Sequence, residues 1–167
     1  KLHVYKVLVQ YYVTQNRQLD IIQLIIDVLC QIGIKIPIPP TMSDISDGLQ
    51  NTELLLAEKP IKELADITEM NDAAMLAAMQ LMNYIVPASY QSMPLLFPLL
   101  TFKQVQLSIR YGNSPISALA YVCYGIILSG ESDIDRAKQF GQLSLLVHER
   151  FPDKQVQTSV MHLFNGF

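Results

Sequence analysis

The stretch 73–102 most constrains the fold, because its 30 consecutive residues carry no charged side chain. A helix that spans a bilayer needs only about 20 apolar residues, so a membrane span has to be considered. Polar groups that face lipid are costly, however, and prolines interrupt helices. The stretch contains both kinds of residue, namely Gln80, Asn83, Pro87, Ser89, Gln91, Ser92, Pro94 and Pro98. It therefore predicts two buried helices that meet near the prolines, and no membrane span.

Composition narrows the class of protein. Half of the 167 residues are hydrophobic and 16% are charged, which excludes a disordered chain. A net charge of −3 with 12 lysines and arginines predicts no nucleic-acid partner. The two cysteines, Cys30 and Cys123, lie in separate apolar runs, so we expect two buried, reduced thiols in a cytoplasmic protein. The chain runs from Lys1 to Phe167 with an apolar helical pattern at its end, and we expect it to be a fragment of a longer protein.

Apolar residues recur at helical spacing along nearly the whole chain, which predicts an all-α fold of about eight helices. We divide this single domain into a first hairpin at 1–33, a proline-rich connector at 34–43, an acidic helix plus a long helix at 44–92, and further hairpins at 93–167. Short connections favour antiparallel neighbours. The predicted helix starts and stops lie at Gly33, Thr41 or Ser43, Asn71, Pro94, Gly112, Ser114-Pro115 and Ser132.

Small residues at two positions suggest an internal repeat. The tetratricopeptide (TPR) unit has two helices that cross closely at small side chains, and Gly125 and Ala137 have the matching spacing. The opening hairpin matches less well, because Val9 and Ile21 are large where the repeat prefers small residues. We therefore predict antiparallel hairpins stacked as a TPR-like α-solenoid fragment, with a chance match in an ordinary helical protein as the alternative.

Four sequence runs carry a resemblance to a known family: FPLLTFKQV at 97–105, SIRYGNSP at 108–115, ALAYVCYG at 118–125 and QFGQL at 139–143. Together they resemble the helical, TPR-like middle region of large bacterial multidomain signalling proteins. Those chains carry a serine/threonine kinase-like domain and an AAA/STAND-type ATPase before this region, and in many members GAF and histidine-kinase modules after it. The resemblance implies a regulatory region of a signalling kinase and carries over no catalytic residue.

The sequence contains no recognisable catalytic, phosphate-binding or metal-binding motif. No phosphate-binding glycine loop is present, and His3, His148 and His162 lack metal-ligand spacing to each other or to the cysteines. The sequence therefore predicts no catalytic residue, no cofactor and no metal, and hence no enzyme within this stretch.

Two sets of residues form the candidate surface for a partner or ligand, namely Tyr111, Tyr121 and Tyr124 together with Met75, Met79 and Met82. Core packing explains the same residues, since buried tyrosine and methionine commonly fill helical interfaces. We predict a non-catalytic module for protein interaction and signal transmission. The alternative is a small-molecule sensor whose apolar pocket between helices is lined by these residues.

Three further patterns bear on partners. The segment 44–72 holds eight acidic residues against Lys59 and Lys62, which indicates either a solvated face or a docking surface for a basic partner. The helix at 116–128 is apolar all round, which predicts cover by helices on both sides. The apolar terminal helices predict self-association through the two ends of the stack, since solenoids need polar capping repeats. The residues that carry this last prediction are Val4, Leu8, Tyr12, Val160, Leu163 and Phe164.

Overall fold

Eight α-helices and one short 3₁₀ helix account for most of residues 2–165, which are the residues that the computed structural model describes. In chain order they are α1 (Leu2–Thr14), α2 (Gln18–Gln31), α3 (Met42–Leu56), the 3₁₀ helix (Ile61–Asp66), α4 (Ala73–Ser92), α5 (Leu96–Tyr111), α6 (Pro115–Gly130), α7 (Ile134–Arg150) and α8 (Lys154–Phe164). No strand occurs between residues 2 and 165, so the all-α prediction is confirmed. Lys1, Gly166 and Phe167, which the predicted domain includes, lie outside the described residues.

The charge-free stretch forms two helices, as predicted. α4 ends at Ser92 and α5 begins at Leu96, with Pro94 in the turn between them. Pro87 lies inside α4. Across residues 2–165, no helix combines the length and the apolar character that crossing a bilayer requires.

Local capping explains several helix starts. The Thr41 side chain accepts the Asp44 amide while the Asp44 carboxylate accepts the Thr41 amide, and Ser114 and Ser117 form the equivalent pair at the start of α6. Gly33 follows α2 at a φ of +87°, as expected for a glycine that ends a helix.

Three predicted starts were wrong by one or two residues. Asp72, not Asn71, caps α4, because its carboxylate accepts the amides of Ala74 and Met75. Asp133 caps α7, while Ser132 adopts a left-handed turn at φ +68°. α5 begins at Leu96 rather than at Pro94.

The order of packing changes along the chain. From α4 onward each helix contacts the next one, and the alternate helices α4, α6 and α8 also contact one another in sequence. In the first half, α2 packs on α4 and α3 packs on α5. α6 therefore lies between α4 and α8, with α5 and α7 also packed against it.

α6 and α7 pack closely against each other. Gly125 of α6 and Ala137 of α7 are both buried. The Ser144 hydroxyl of α7 donates a 2.7 Å hydrogen bond to the Ala118 carbonyl of α6, which requires the two backbones to lie side by side.

A network of hydrogen bonds around Asn113 joins the starts of α4 and α6, and we call it the Asn113 network. The Met70 amide donates to the Asn113 carbonyl at 2.8 Å, and the Asn113 amide donates to the Thr68 carbonyl at 2.8 Å. The buried Asn113 side chain donates to the Leu64 carbonyl at 2.7 Å and accepts from the Tyr121 hydroxyl at 3.0 Å. These bonds fix the amino ends of α4 and α6 next to each other.

Three expectations about burial need correction. Cys30 is exposed, because it falls on the outer side of α2, whereas Cys123 is buried as predicted. Val160 is buried against the core instead of forming an apolar end. Leu8 and Tyr12 are half-buried against the core, whereas the exposed apolar residues of α1 are Val4, Val7, Tyr11 and Val13. Self-association through this end stays a prediction.

Several acidic residues of the segment 44–72 bind other residues of the same chain. Asp44 and Asp72 cap helices, and Asp66 lies 3.8 Å from Arg150. Glu53 is bound by Arg136 through two contacts of 2.9 Å. Docking of a basic partner to the remaining carboxylates stays a prediction.

Candidate functional site

A solvent-open groove of about 900 Å³ runs along α6 between the faces of α4 and α8. Leu119, Cys123 and Ile126 line it from α6 at helical spacing, so they present one face of that helix to the groove. Described helices pack on both sides of α6, as predicted, and Val122 and Cys123 are buried. Ile126 is 36% exposed, so the groove leaves part of this face open to solvent.

α4 has two faces of different character. Its groove face carries Leu76, Gln80, Asn83 and Pro87, which recur at helical spacing and lead to Tyr90 and Gln91. A neighbouring face of the same helix buries Met75, Met79 and Met82 in the core. The groove lining extends from Ala73 to Gln91, which corresponds to about 27 Å at 1.5 Å per residue.

The lining is almost free of charge. Among residues 2–165, Asp153 and His162 are the only acidic or basic residues that line it. The Asp153 carboxylate is engaged as the cap of α8, where it accepts the amides of Gln155 and Val156. The groove therefore presents apolar and neutral polar side chains to solvent.

Four side-chain amides line this surface, namely Gln80, Asn83, Gln91 and Gln155. Among residues 2–165, the one buried side-chain nitrogen or oxygen without a hydrogen-bond partner is His148 Nδ1. Among the described residues, these four amides have no side-chain hydrogen-bond partner, and all four belong to the groove lining. Each can donate and accept hydrogen bonds from a molecule that binds there.

Cys123 lies at the bottom of the groove as an unreactive thiol. Its side chain is buried, and desolvation raises the pKa of the thiol to about 12. A thiol with this pKa stays neutral near pH 7 and behaves as a small apolar group.

The residues predicted from the sequence as a partner surface lie elsewhere. Tyr121 and Tyr124 are fully buried, with ring centroids 6.2 Å and 4.8 Å from that of Phe140. Met75, Met79 and Met82 are buried in the core. Tyr111 is 46% exposed but does not line the groove. Core packing, the alternative interpretation, describes all of them except Tyr111.

The Glu53 carboxylate joins three helices, because Tyr124 of α6 and Arg136 of α7 both bind it. The Tyr124 hydroxyl donates a hydrogen bond to Glu53 of α3, and Arg136 of α7 binds both oxygens of the same carboxylate. Desolvation and the nearby Glu53 carboxylate raise the pKa of Tyr124, so the hydroxyl keeps its proton at neutral pH. This cluster fixes α3 against the α6–α7 pair.

We expect Tyr121→Phe to lower the free energy of unfolding by about 1–2 kcal/mol, because the buried Asn113 Oδ1 loses its hydrogen-bond donor. The matched control is Tyr111→Phe, which removes an exposed hydroxyl and is expected to change stability by less than about 0.5 kcal/mol. Urea denaturation followed by circular dichroism measures both values. Equal losses in the two variants would contradict the assignment of Tyr121 to the Asn113 network.

Sequence reasoning missed the groove, although two signals pointed towards it. The lack of charge at 73–102 was explained by burial alone, and the second apolar face of α6 was explained by further helices. Helical spacing assigns residues to the same face, but it cannot tell whether that face is covered by the protein itself.

Comparison of the chain with protein-family models, curated proteins and solved structures finds no match.

Proposed function

We propose that this chain is a non-catalytic protein-interaction module that binds a segment of a partner polypeptide in the groove along α6. One observation carries the proposal: a surface about 27 Å long faces solvent yet has almost no charged residue. Interface centres are depleted of charged residues, because a charge that loses water without gaining a partner is costly.

The shape of the groove supports a polypeptide over a small molecule. Ligand pockets of about 300–1,000 Å³ bury most of a compact ligand. The groove reaches the upper end of that range in volume, but it is drawn out along α4 and open to solvent. A small-molecule sensor is the second candidate, and the apolar surface of Leu119 and Cys123 favours it.

The helix packing and the sequence resemblance extend the proposed role. The alternate contacts among α4, α6 and α8 support a TPR-like array in the second half of the chain, with these three helices on the groove side. The four runs that resemble bacterial multidomain signalling proteins support a role in transmitting signals within a cytoplasmic kinase of that type. In such a protein, occupation of the groove would stiffen the helical stack between neighbouring domains.

The experiment uses the 167-residue chain as bait for random twelve-residue peptides displayed on phage. We expect enriched peptides to lose at least tenfold in affinity on Ile126→Arg, because the charge would be buried against an apolar partner. The matched control is Leu146→Arg, at a 47% exposed position of α7 outside the groove lining, where affinity is expected to be unchanged.

Circular dichroism melting curves would establish that both variants stay folded. The proposal fails if no enriched peptide depends on Ile126, or if both arginine variants weaken binding equally. A thermal-shift screen of apolar small molecules covers the second candidate: stabilisation lost in Ile126→Arg, without any Ile126-dependent peptide, would favour the sensor.

A further inference from the structure

The chemistry of the groove also restricts which polypeptides can bind, provided that the proposed function holds. The first restriction comes from charge. Leu76, Pro87, Tyr90 and Gln91 are exposed on the groove face of α4, and this helix supplies no lysine, arginine, aspartate or glutamate along its whole length. A charged side chain seated against α4 would lose water and meet no counterion there, which is strongly unfavourable.

The second restriction comes from length. The groove follows α4 for about 27 Å. About eight extended residues span its length at roughly 3.3 Å per residue.

The third restriction comes from the free amides, and it separates an extended chain from a helix. An extended chain brings unpaired backbone N–H and C=O groups, which Gln80, Asn83, Gln91 and Gln155 can bind. The backbone of a helix is already hydrogen-bonded internally, so a helix would cover these amides without supplying partners. An amide that is covered without gaining a hydrogen-bond partner opposes binding.

We infer that the groove selects an extended polypeptide segment of about eight residues whose contacting side chains carry no charge, held by hydrogen bonds from the groove amides to its backbone. The inference rests on the proposed function of the same groove.

The test starts from the phage-selected peptides whose binding depends on Ile126. We expect a continuous run of six or more residues without Lys, Arg, Asp or Glu in these peptides, more often than in the unselected library. We also expect N-methylation of alternate backbone amides in one selected peptide to weaken its binding at least tenfold, because those N–H groups can no longer donate.

A double variant tests the role of the groove amides. Gln80→Ala combined with Asn83→Ala is expected to weaken the same peptide at least fivefold. The matched control, Gln139→Ala with Gln142→Ala, removes two exposed amides at the same i, i+3 spacing on α7, outside the groove lining, and should leave the affinity unchanged.

The outcomes separate this inference from the proposed function. Ile126-dependent peptides with charged centres, or with helical chemical shifts when bound as labelled peptides in NMR spectra, would overturn the inference and leave the proposed function standing. Equal affinity for the wild type and the Gln80/Asn83 double variant would also overturn it. If no peptide depends on Ile126, the proposed function fails and this inference fails with it.

Discussion

Gly112→Ala is expected to lower the free energy of unfolding by about 3 kcal/mol or more, the largest effect we predict for a one-carbon change in this protein. Gly112 has a φ of +115°, in the region that residues with a Cβ rarely adopt. A Cβ at this position would lie 2.6 Å from the Thr68 carbonyl oxygen and 2.7 Å from the Met70 amide nitrogen. Both atoms form backbone hydrogen bonds of the Asn113 network, so they cannot move aside without breaking those bonds.

Two other glycines provide matched controls for backbone strain and for space. Gly33 also has a positive φ, but a Cβ there meets nothing within 4 Å, so Gly33→Ala is expected to cost only about 1 kcal/mol. Gly130 has neither restriction and ends α6, so Gly130→Ala is expected to be neutral or stabilising by up to about 1 kcal/mol.

Urea denaturation at a common temperature would rank the three variants. If Gly112→Ala cost no more than Gly33→Ala, the close approach of the 65–70 segment to the α5–α6 turn would be contradicted. Since this approach places α4 beside α6, loss of peptide binding should accompany the loss of stability in Gly112→Ala.

Phe140→Ala is expected to destabilise the protein by about 3–5 kcal/mol. The ring is fully buried on α7, and its centroid lies 4.8 Å from that of Tyr124 and 6.2 Å from that of Tyr121, both on α6. Its removal would leave a cavity between α6 and α7 beside the rings of Tyr121 and Tyr124, and the lost contacts and the cavity both lower stability.

The control variants separate volume from aromatic contact. Phe140→Leu keeps most of the volume and is expected to cost less than half as much as Phe140→Ala. Ile134→Ala, at a 46% exposed position of the same helix, is expected to cost less than about 1 kcal/mol. Chemical denaturation again gives the measurement, and similar losses in Phe140→Ala and Ile134→Ala would show that the aromatic cluster does not stabilise the α6–α7 contact.

Local features of the sequence predicted most of the secondary structure. The sequence predicted helix starts at Thr41 or Ser43 and at Ser114-Pro115, and the structure places the caps at Thr41 and Ser114, whose partners lie three residues away. The errors at Asn71 and Ser132 have the same local origin. In each case two good capping residues are adjacent, and only the backbone conformation decides which of them accepts the amides, as the left-handed φ of Ser132 shows.

The arrangement of the helices around the groove depends on contacts between residues that are far apart in the sequence. The Asn113 network connects Asn113 to Leu64 and to the 68–70 segment, more than 40 positions earlier in the chain. Glu53 belonged to an apparent acidic face in the sequence, but the fold pairs it with Arg136, which is 83 positions away. Neither partnership leaves a pattern in the spacing of residues.

The sequence by itself determined that this chain folds into helices, where most of them begin and end, and that its central helices are poor in charge. Only the tertiary structure decided what that lack of charge means. Val122 and Ile126 are both apolar residues of α6, yet the first is buried by neighbouring helices and the second faces the groove. The physical reason is that helical periodicity records which residues share a face, whereas cover of that face depends on how distant helices pack.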